Sequence, residues 1–120
     1  MLRAKGLSVD PPGRPVYIVA MDEKGGRSAE RDFAILGVSI GKTIERLRER
    51  KGLTQEDLVM RLRSGPGSLS LHSSGLSKIE NGHRMPRSHE IYAICLALEM
   101  DMPQFWTREA RVRRELLEDI

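Results

Sequence analysis

Apolar residues in the middle of the chain recur three or four positions apart, which is the spacing of amphipathic helices. Ile40, Ile44 and Leu47 predict a first helix, and Ser39 is placed to cap it. The same spacing predicts four further helices, whose starts are marked by Thr54, by Ser73 or Ser74, by Ser88 and by Asp101 with Pro103. The pattern therefore predicts an all-α, five-helix domain over residues 40–106.

The first 39 residues differ in composition from the rest and are rich in glycine and proline. Val16–Met21 is a β-branched and aromatic run typical of a strand, and residues 22–26 read as a turn. A second apolar run, Phe33–Leu36, follows the turn and can pair back on the first. We therefore expect residues 1–39 to form an N-terminal arm that contains a strand or a β-hairpin.

The last residues, 107–120, predict a separate C-terminal helix. Its apolar positions repeat every four residues, at Val112, Leu116 and Ile120. Such a narrow stripe is typical of a helix that docks on a surface. The stripe and the strand Val16–Met21 are the two candidates for a dimer interface.

Composition narrows the class of protein. The 120 residues suit one small domain and are too few for a doubly wound or barrel enzyme. The 4% aromatic content disfavours a surface on which the bases of single-stranded nucleic acid stack. A net charge of +3 is a mild basic bias, compatible with a polyanionic partner. Cys95 is the single cysteine, so an intrachain disulfide framework is excluded. No long apolar segment or secretory signal appears, so we expect a cytoplasmic protein without a membrane partner.

Two separated motifs carry the most information. The second predicted helix opens Thr54-Gln55-Glu56-Asp57-Leu58, and the third closes Leu76-Ser77-Lys78-Ile79-Glu80-Asn81-Gly82, followed by Arg84 and Pro86. With the preceding stretch Leu47–Gln55, they resemble the helix-turn-helix domain of the Cro and lambda-repressor family, the xenobiotic-response-element-like type. The resemblance covers about Ile40 to Trp106. It implies a five-helix, lambda-repressor-like DNA-binding domain.

The resemblance also implies which residues meet duplex DNA. The third helix would lie in the major groove and present Ser73, Ser74, Ser77 and Lys78. Near the phosphates it would place Gln55, Asn81, His83 and Arg84. Several of these residues have a plainer structural explanation, because Ser73, Ser74 and Gln55 suit helix starts, Asn81-Gly82 suits a helix stop and Arg84 suits a solvated surface. Arg48 and Glu80 are implied to form a structural ion pair.

This chain departs from the family in two ways. The turn between the second and third helices is longer, with an extra Gly-Pro-Gly-Ser stretch before Leu71. The groove-facing set is rich in serine, which discriminates weakly between bases.

Two functions therefore stay open. The first is a sequence-specific regulator that binds double-stranded DNA as a homodimer. The second is an antitoxin-like or adaptor module that keeps the scaffold and binds a protein partner through residues 1–39.

Other chemistry has little support in the sequence. Gly37–Thr43 resembles a phosphate loop but has three residues, not four, between its first glycine and Gly-Lys-Thr. The three histidines and Cys95 lack the spacing of a metal site. No carboxylate pair or catalytic triad stands out. We therefore expect neither an enzyme nor a cofactor.

Overall fold

The computed structural model describes residues 29–119, which form five helices. They are α1 (Ala29–Arg50), α2 (Gln55–Ser64), α3 (Ser73–Glu80), α4 (Ser88–Ala97) and α5 (Met102–Glu118). Over this part of the chain the secondary structure is entirely helical, which confirms the prediction for residues 40–106. The predicted strand Val16–Met21 and the turn at 22–26 lie outside the described residues.

Helix α1 begins at Ala29, eleven residues before the predicted start at Ile40. The run Phe33–Leu36, predicted as a second strand, lies inside this helix, so that prediction is wrong. The reason is that Ile35 and Val38, each 4% exposed, extend the buried stripe of α1 toward its N-terminus. Ser39 is not a cap either, because it lies in mid-helix and its hydroxyl donates to the Leu36 carbonyl oxygen at 3.0 Å.

One hydrophobic core receives side chains from all five helices. Its most deeply buried members have no measurable exposure, and they are Ile44, Leu58, Leu76, Ile79, Ile94 and Phe105. Helix α1 packs against both α3 and α5, while α2 packs against α3 and α4. The long turn between α2 and α3 adds Leu71 to this core.

Helices α1 and α3 approach each other at backbone distance. A Cβ added to Gly41 would lie 2.0 Å from the carbonyl oxygen of Ile79, so only glycine fits there. Gly82 ends α3 with φ +78°, and a Cβ on it would lie 2.7 Å from Val38 Cγ2. Gly41 belongs to the segment Gly37–Thr43 that resembles a phosphate loop. Its role in the structure is to let α1 pack closely on α3.

Capping interactions begin α2 and α5 as predicted. Thr54 Oγ1 accepts a hydrogen bond from the Asp57 backbone N–H at 3.0 Å, and the Asp57 carboxylate accepts from the Thr54 N–H at 2.9 Å. Asp101 and Gln104 form the same reciprocal box at α5. The predicted serine caps of α3 and α4 are wrong. Ser73 and Ser88 are the first helical residues there, after His72 and Arg87, whose side chains make no capping bond.

The C-terminal part of the chain is one continuous helix, where the sequence predicts a short fifth helix and a separate tail. Val112 and Leu116 are each 5% exposed, because these two residues of the predicted stripe pack within the chain, and its third residue, Ile120, lies outside the described residues. The Ser39 hydroxyl donates to the buried Glu109 carboxylate, which also accepts two hydrogen bonds from Arg113 at 3.0 Å each. Val112 and Leu116 therefore help to hold α5 in place and are not free for a dimer interface.

Candidate nucleic-acid interface

Helix α3 has one buried flank and one open flank. Leu76, Ile79 and Glu80 face the interior. The open flank consists of Ser74 and Lys78, which are exposed, and Ser73 and Ser77, which are half-buried. The structure therefore brings together all four residues that the resemblance places in the groove.

The lengthened turn lies away from this open flank. Leu69 N–H donates to the Leu62 carbonyl oxygen at 2.9 Å, which ties the turn to the end of α2. A Cβ added to Gly67 would lie 3.0 Å from the Cβ of Ala93, so the turn also rests on α4. The extra residues therefore pack on the scaffold and leave the polar side of α3 accessible among the described residues.

Gln55 joins a polar cluster that locks α1, α2 and α3 together. Glu80 accepts hydrogen bonds from Arg48 Nε at 2.7 Å and Nη2 at 2.9 Å, and from Gln55 Nε2 at 2.9 Å. Arg48 Nη1 donates to the Leu53 carbonyl oxygen at 2.8 Å. The hydrogen bonds that Arg48 donates to Glu80 raise the pKa of Arg48 against the opposing effect of burial. The ion pair implied by the resemblance is therefore present, and the side-chain amide of Gln55 is part of it.

Arg84 is held by a second buried glutamate. Its Nη2 donates to Glu90 Oε2 at 2.7 Å, and the Arg87 backbone N–H donates to Glu90 Oε1 at 2.8 Å. Burial works to raise the pKa of Glu90, but these hydrogen bonds and the charges of Arg84 and His89 outweigh it and lower the pKa. Nη1 of Arg84 is buried without a hydrogen-bond partner among residues 29–119.

Sequence reasoning missed Glu90 as a determinant of this surface. Its carboxylate lies three residues after Arg87 and accepts from that residue's N–H, which is the pattern of an acidic group closing the first turn of a helix. That local pattern could have been noticed. The pairing with Arg84 could not, because it depends on how the loop before α4 folds.

Asn81 and His83 follow α3 and are both exposed. The Asn81 N–H donates to the Ser77 carbonyl oxygen at 3.0 Å, and its side-chain amide donates to Ser77 Oγ at 3.4 Å. The His83 N–H donates to the Lys78 carbonyl oxygen at 2.8 Å. Both residues therefore end the helix and leave their side chains beside the open flank.

The described residues give little support for a metal site, a reactive cysteine or a membrane span. No three histidine, cysteine or acidic side chains among residues 29–119 come together as a metal site. Cys95 is buried, and burial followed by the charge of Asp101 raises the pKa of its thiol to about 11. No helix in this part of the chain is both long and apolar enough to span a membrane.

Comparison with known families identifies the class of this domain. Residues 41–106 match the model of a family described as helix-turn-helix domain. The match covers more than half of the chain, so the chain belongs to this helix-turn-helix family. No curated protein and no solved structure matches the chain.

Proposed function

We propose that this protein is a transcriptional regulator that binds double-stranded DNA and reads a specific sequence through α3. A helix-turn-helix domain suggests a DNA-binding regulator. The observation that carries the proposal is the open polar flank of α3 on a helix whose other flank is fixed by Gly41 and by the Arg48–Glu80 pair. A reading element needs such a rigid support to hold its side chains in register.

The dimensions and chemistry of α3 suit a major groove. Eight residues make a helix about 12 Å long, and the groove is about 12 Å wide. Ser74 and Lys78 are four positions apart and share one side of the helix. The side chain of Lys78 makes no hydrogen bond or ion pair with any residue in 29–119, so its ammonium is available to a guanine edge or a phosphate.

Gln55, Asn81, His83 and Arg84 are proposed as phosphate contacts that set the register. Gln55 is the first residue of α2, where the positive helix end favours a phosphate. The bond to Glu80 uses one amide hydrogen of Gln55 and leaves the other to donate to a phosphate. Phosphate contacts of this kind position the protein, while the residues on α3 supply base preference.

A homodimer on a two-fold operator is part of the proposal. Serines discriminate weakly between bases, so one copy of α3 supplies modest selectivity. A second half-site one duplex turn away multiplies that selectivity, and DNA shape adds to it. With Val112 and Leu116 buried in their own chain, the predicted strand Val16–Met21 is the remaining candidate for the dimer contact.

The test is selection of bound sequences from a random duplex library with the full chain. We expect an enriched palindrome, weakened by Lys78→Ala and by Ser74→Ala. Lys51→Ala is the matched control, since Lys51 pairs with Glu99 at 3.0 Å and lies outside α3. Failure to enrich any motif, with the protein folded, would reject sequence-specific reading.

A second function is favoured by one observation. The side chains of Gln55 and Arg84 are both bonded to glutamates of their own chain. A module that binds a protein partner through residues 1–39 needs no phosphate contacts and accommodates that arrangement. The salt dependence of binding to random genomic fragments separates the two functions, because a slope near zero means that no phosphates are neutralised.

A further inference from the structure

Four arginines line a small groove between α1 and α5. The groove has a volume of about 60 Å³, and its walls are Thr43, Arg46, Leu47, Arg50, Arg108, Arg111 and Val112. Its floor is apolar and its rim is cationic. A wider concavity of about 340 Å³ shares Arg108 and Arg111 and adds the polar side chains of Gln104 and Thr107.

Among the described residues, 29–119, acidic side chains compensate little of the positive charge of this groove. Arg46 pairs with Glu115 at 3.0 Å. The side chains of Arg50, Arg108 and Arg111 make no hydrogen bond or ion pair with any residue in 29–119, and no acidic side chain in this range lines the groove. Guanidinium groups that line the same groove repel one another unless an anion lies between them. The arrangement therefore favours binding of a multiply charged anion.

The groove lies on the side of α1 that is remote from α3. An α-helix turns about 100° per residue. Gly41 and Arg48 face α3, as their contacts with Ile79 and Glu80 show. Thr43, Arg46 and Arg50 project from the other side of α1, toward α5. A ligand in the groove is therefore separate from a duplex bound at α3.

We propose that this groove binds a small molecule that carries phosphate groups. The planar guanidinium fork matches the oxygen geometry of a phosphate and binds it in a bidentate manner. The groove accommodates one phosphate group, and the neighbouring concavity, which shares Arg108 and Arg111 with it, accommodates a second polar portion of the ligand beside Gln104 and Thr107. A recess between two helices suits a small anion better than the convex backbone of a duplex.

Isothermal titration of the full chain with inorganic pyrophosphate tests this site. We expect saturable binding that falls at least tenfold in the double variant Arg108→Gln, Arg111→Gln. Arg114→Gln is the control, because Arg114 is exposed on the same helix and does not line the groove, and its affinity should stay within twofold of wild type. Amide chemical-shift changes in the wild-type protein should centre on Thr43 and Thr107.

Three results would overturn the proposal. They are no saturable pyrophosphate binding at millimolar concentration, an equal loss in Arg114→Gln, and shifts that centre on α3. The double variant should also leave the salt slope of duplex binding unchanged, and a reduced slope would assign the groove to DNA instead. Lys78→Ala should leave pyrophosphate binding intact, so this site and the proposed DNA function can fail independently.

Discussion

Arg48 of α1 holds Glu80 of α3 through two hydrogen bonds of 2.7 and 2.9 Å, and the Glu80 side chain is 1% exposed. The same carboxylate accepts from Gln55 of α2. One buried charge therefore fixes three helices relative to one another. This contact therefore also sets the orientation of any site that lies on α3.

Glu80→Gln should destabilise the fold without removing any proposed DNA contact. A buried pair that loses one partner leaves the other charge uncompensated, which costs about 3–5 kcal/mol. Thermal or urea unfolding of the variant measures the loss. Glu56→Gln is the control, because Glu56 is exposed, and its melting temperature should match that of wild type. Equal stability of wild type and Glu80→Gln would refute the structural role of the pair.

Gly41→Ala should separate α1 from α3. The added methyl group would lie 2.0 Å from the Ile79 carbonyl oxygen, and overpacking against rigid backbone costs about 3 kcal/mol. Gly37→Ala is a close control in the same helix, since its Cβ would lie 3.5 Å from Met85 Cε, an ordinary contact. That control should be neutral or up to about 1 kcal/mol more stable, because alanine favours helix over glycine. Urea unfolding measures the free energy of unfolding of both variants. A Gly37→Ala variant that is less stable than Gly41→Ala would contradict the close approach of the two helices.

Lys78→Ala should weaken DNA binding in one of two measurable ways. If Lys78 contacts a base edge, selectivity at one position falls by about 1–3 kcal/mol; if it contacts a phosphate, the salt slope falls by about 1 at every sequence. Fluorescence anisotropy on the selected operator at several salt concentrations separates these. If Lys78→Ala binds DNA as tightly as Lys51→Ala does, Lys78 is not part of the interface.

Glu90→Gln should show a pH-dependent loss of stability. The folded-state pKa of Glu90 is lowered, mainly by its bonds to Arg84 and to the Arg87 N–H acting against burial. Its stabilising effect is therefore present above the unfolded pKa, about 4.3, and is lost as pH falls through the folded value. We expect the variant to be about 1 kcal/mol less stable at neutral pH, since Arg84 is partly exposed.

The difference between wild type and Glu90→Gln should shrink below about pH 4. The pKa values of Asp57 and Glu99 are also lowered, by bonds to Thr54 and Lys51, but both proteins share these groups and they cancel in the difference. Urea unfolding across this range is the measurement. A difference that stays constant with pH would show that Glu90 acts through packing and not through its charge.

Cys95 should resist thiol reagents in the folded protein. Its side chain is 1% exposed, and a pKa of about 11 leaves it protonated at neutral pH. Labelling with a chromogenic disulfide reagent should proceed only at the rate of unfolding, and urea should make it immediate. Rapid labelling under native conditions would place Cys95 at an open site.

Part of the candidate site follows from local sequence, and part does not. The family resemblance, which rests on the two motifs and their order, predicted the Arg48–Glu80 pair. It also predicted which side of α3 faces outward. The buried bonds of Gln55 and Arg84 were not anticipated, because their partners Glu80 and Glu90 come from other turns of the fold. The DNA-contact roles of the eight residues remain predictions.

The sequence by itself determined the helix starts at Thr54 and Asp101 and the helix end at Gly82, because capping bonds and left-handed glycines are satisfied within a few residues. Only the tertiary structure decided where α1 begins and that the C-terminal region is one helix. Ser39 is buried against Glu109, seventy residues further along the chain. Burial of that kind depends on which helices meet, and no local pattern of residues records it.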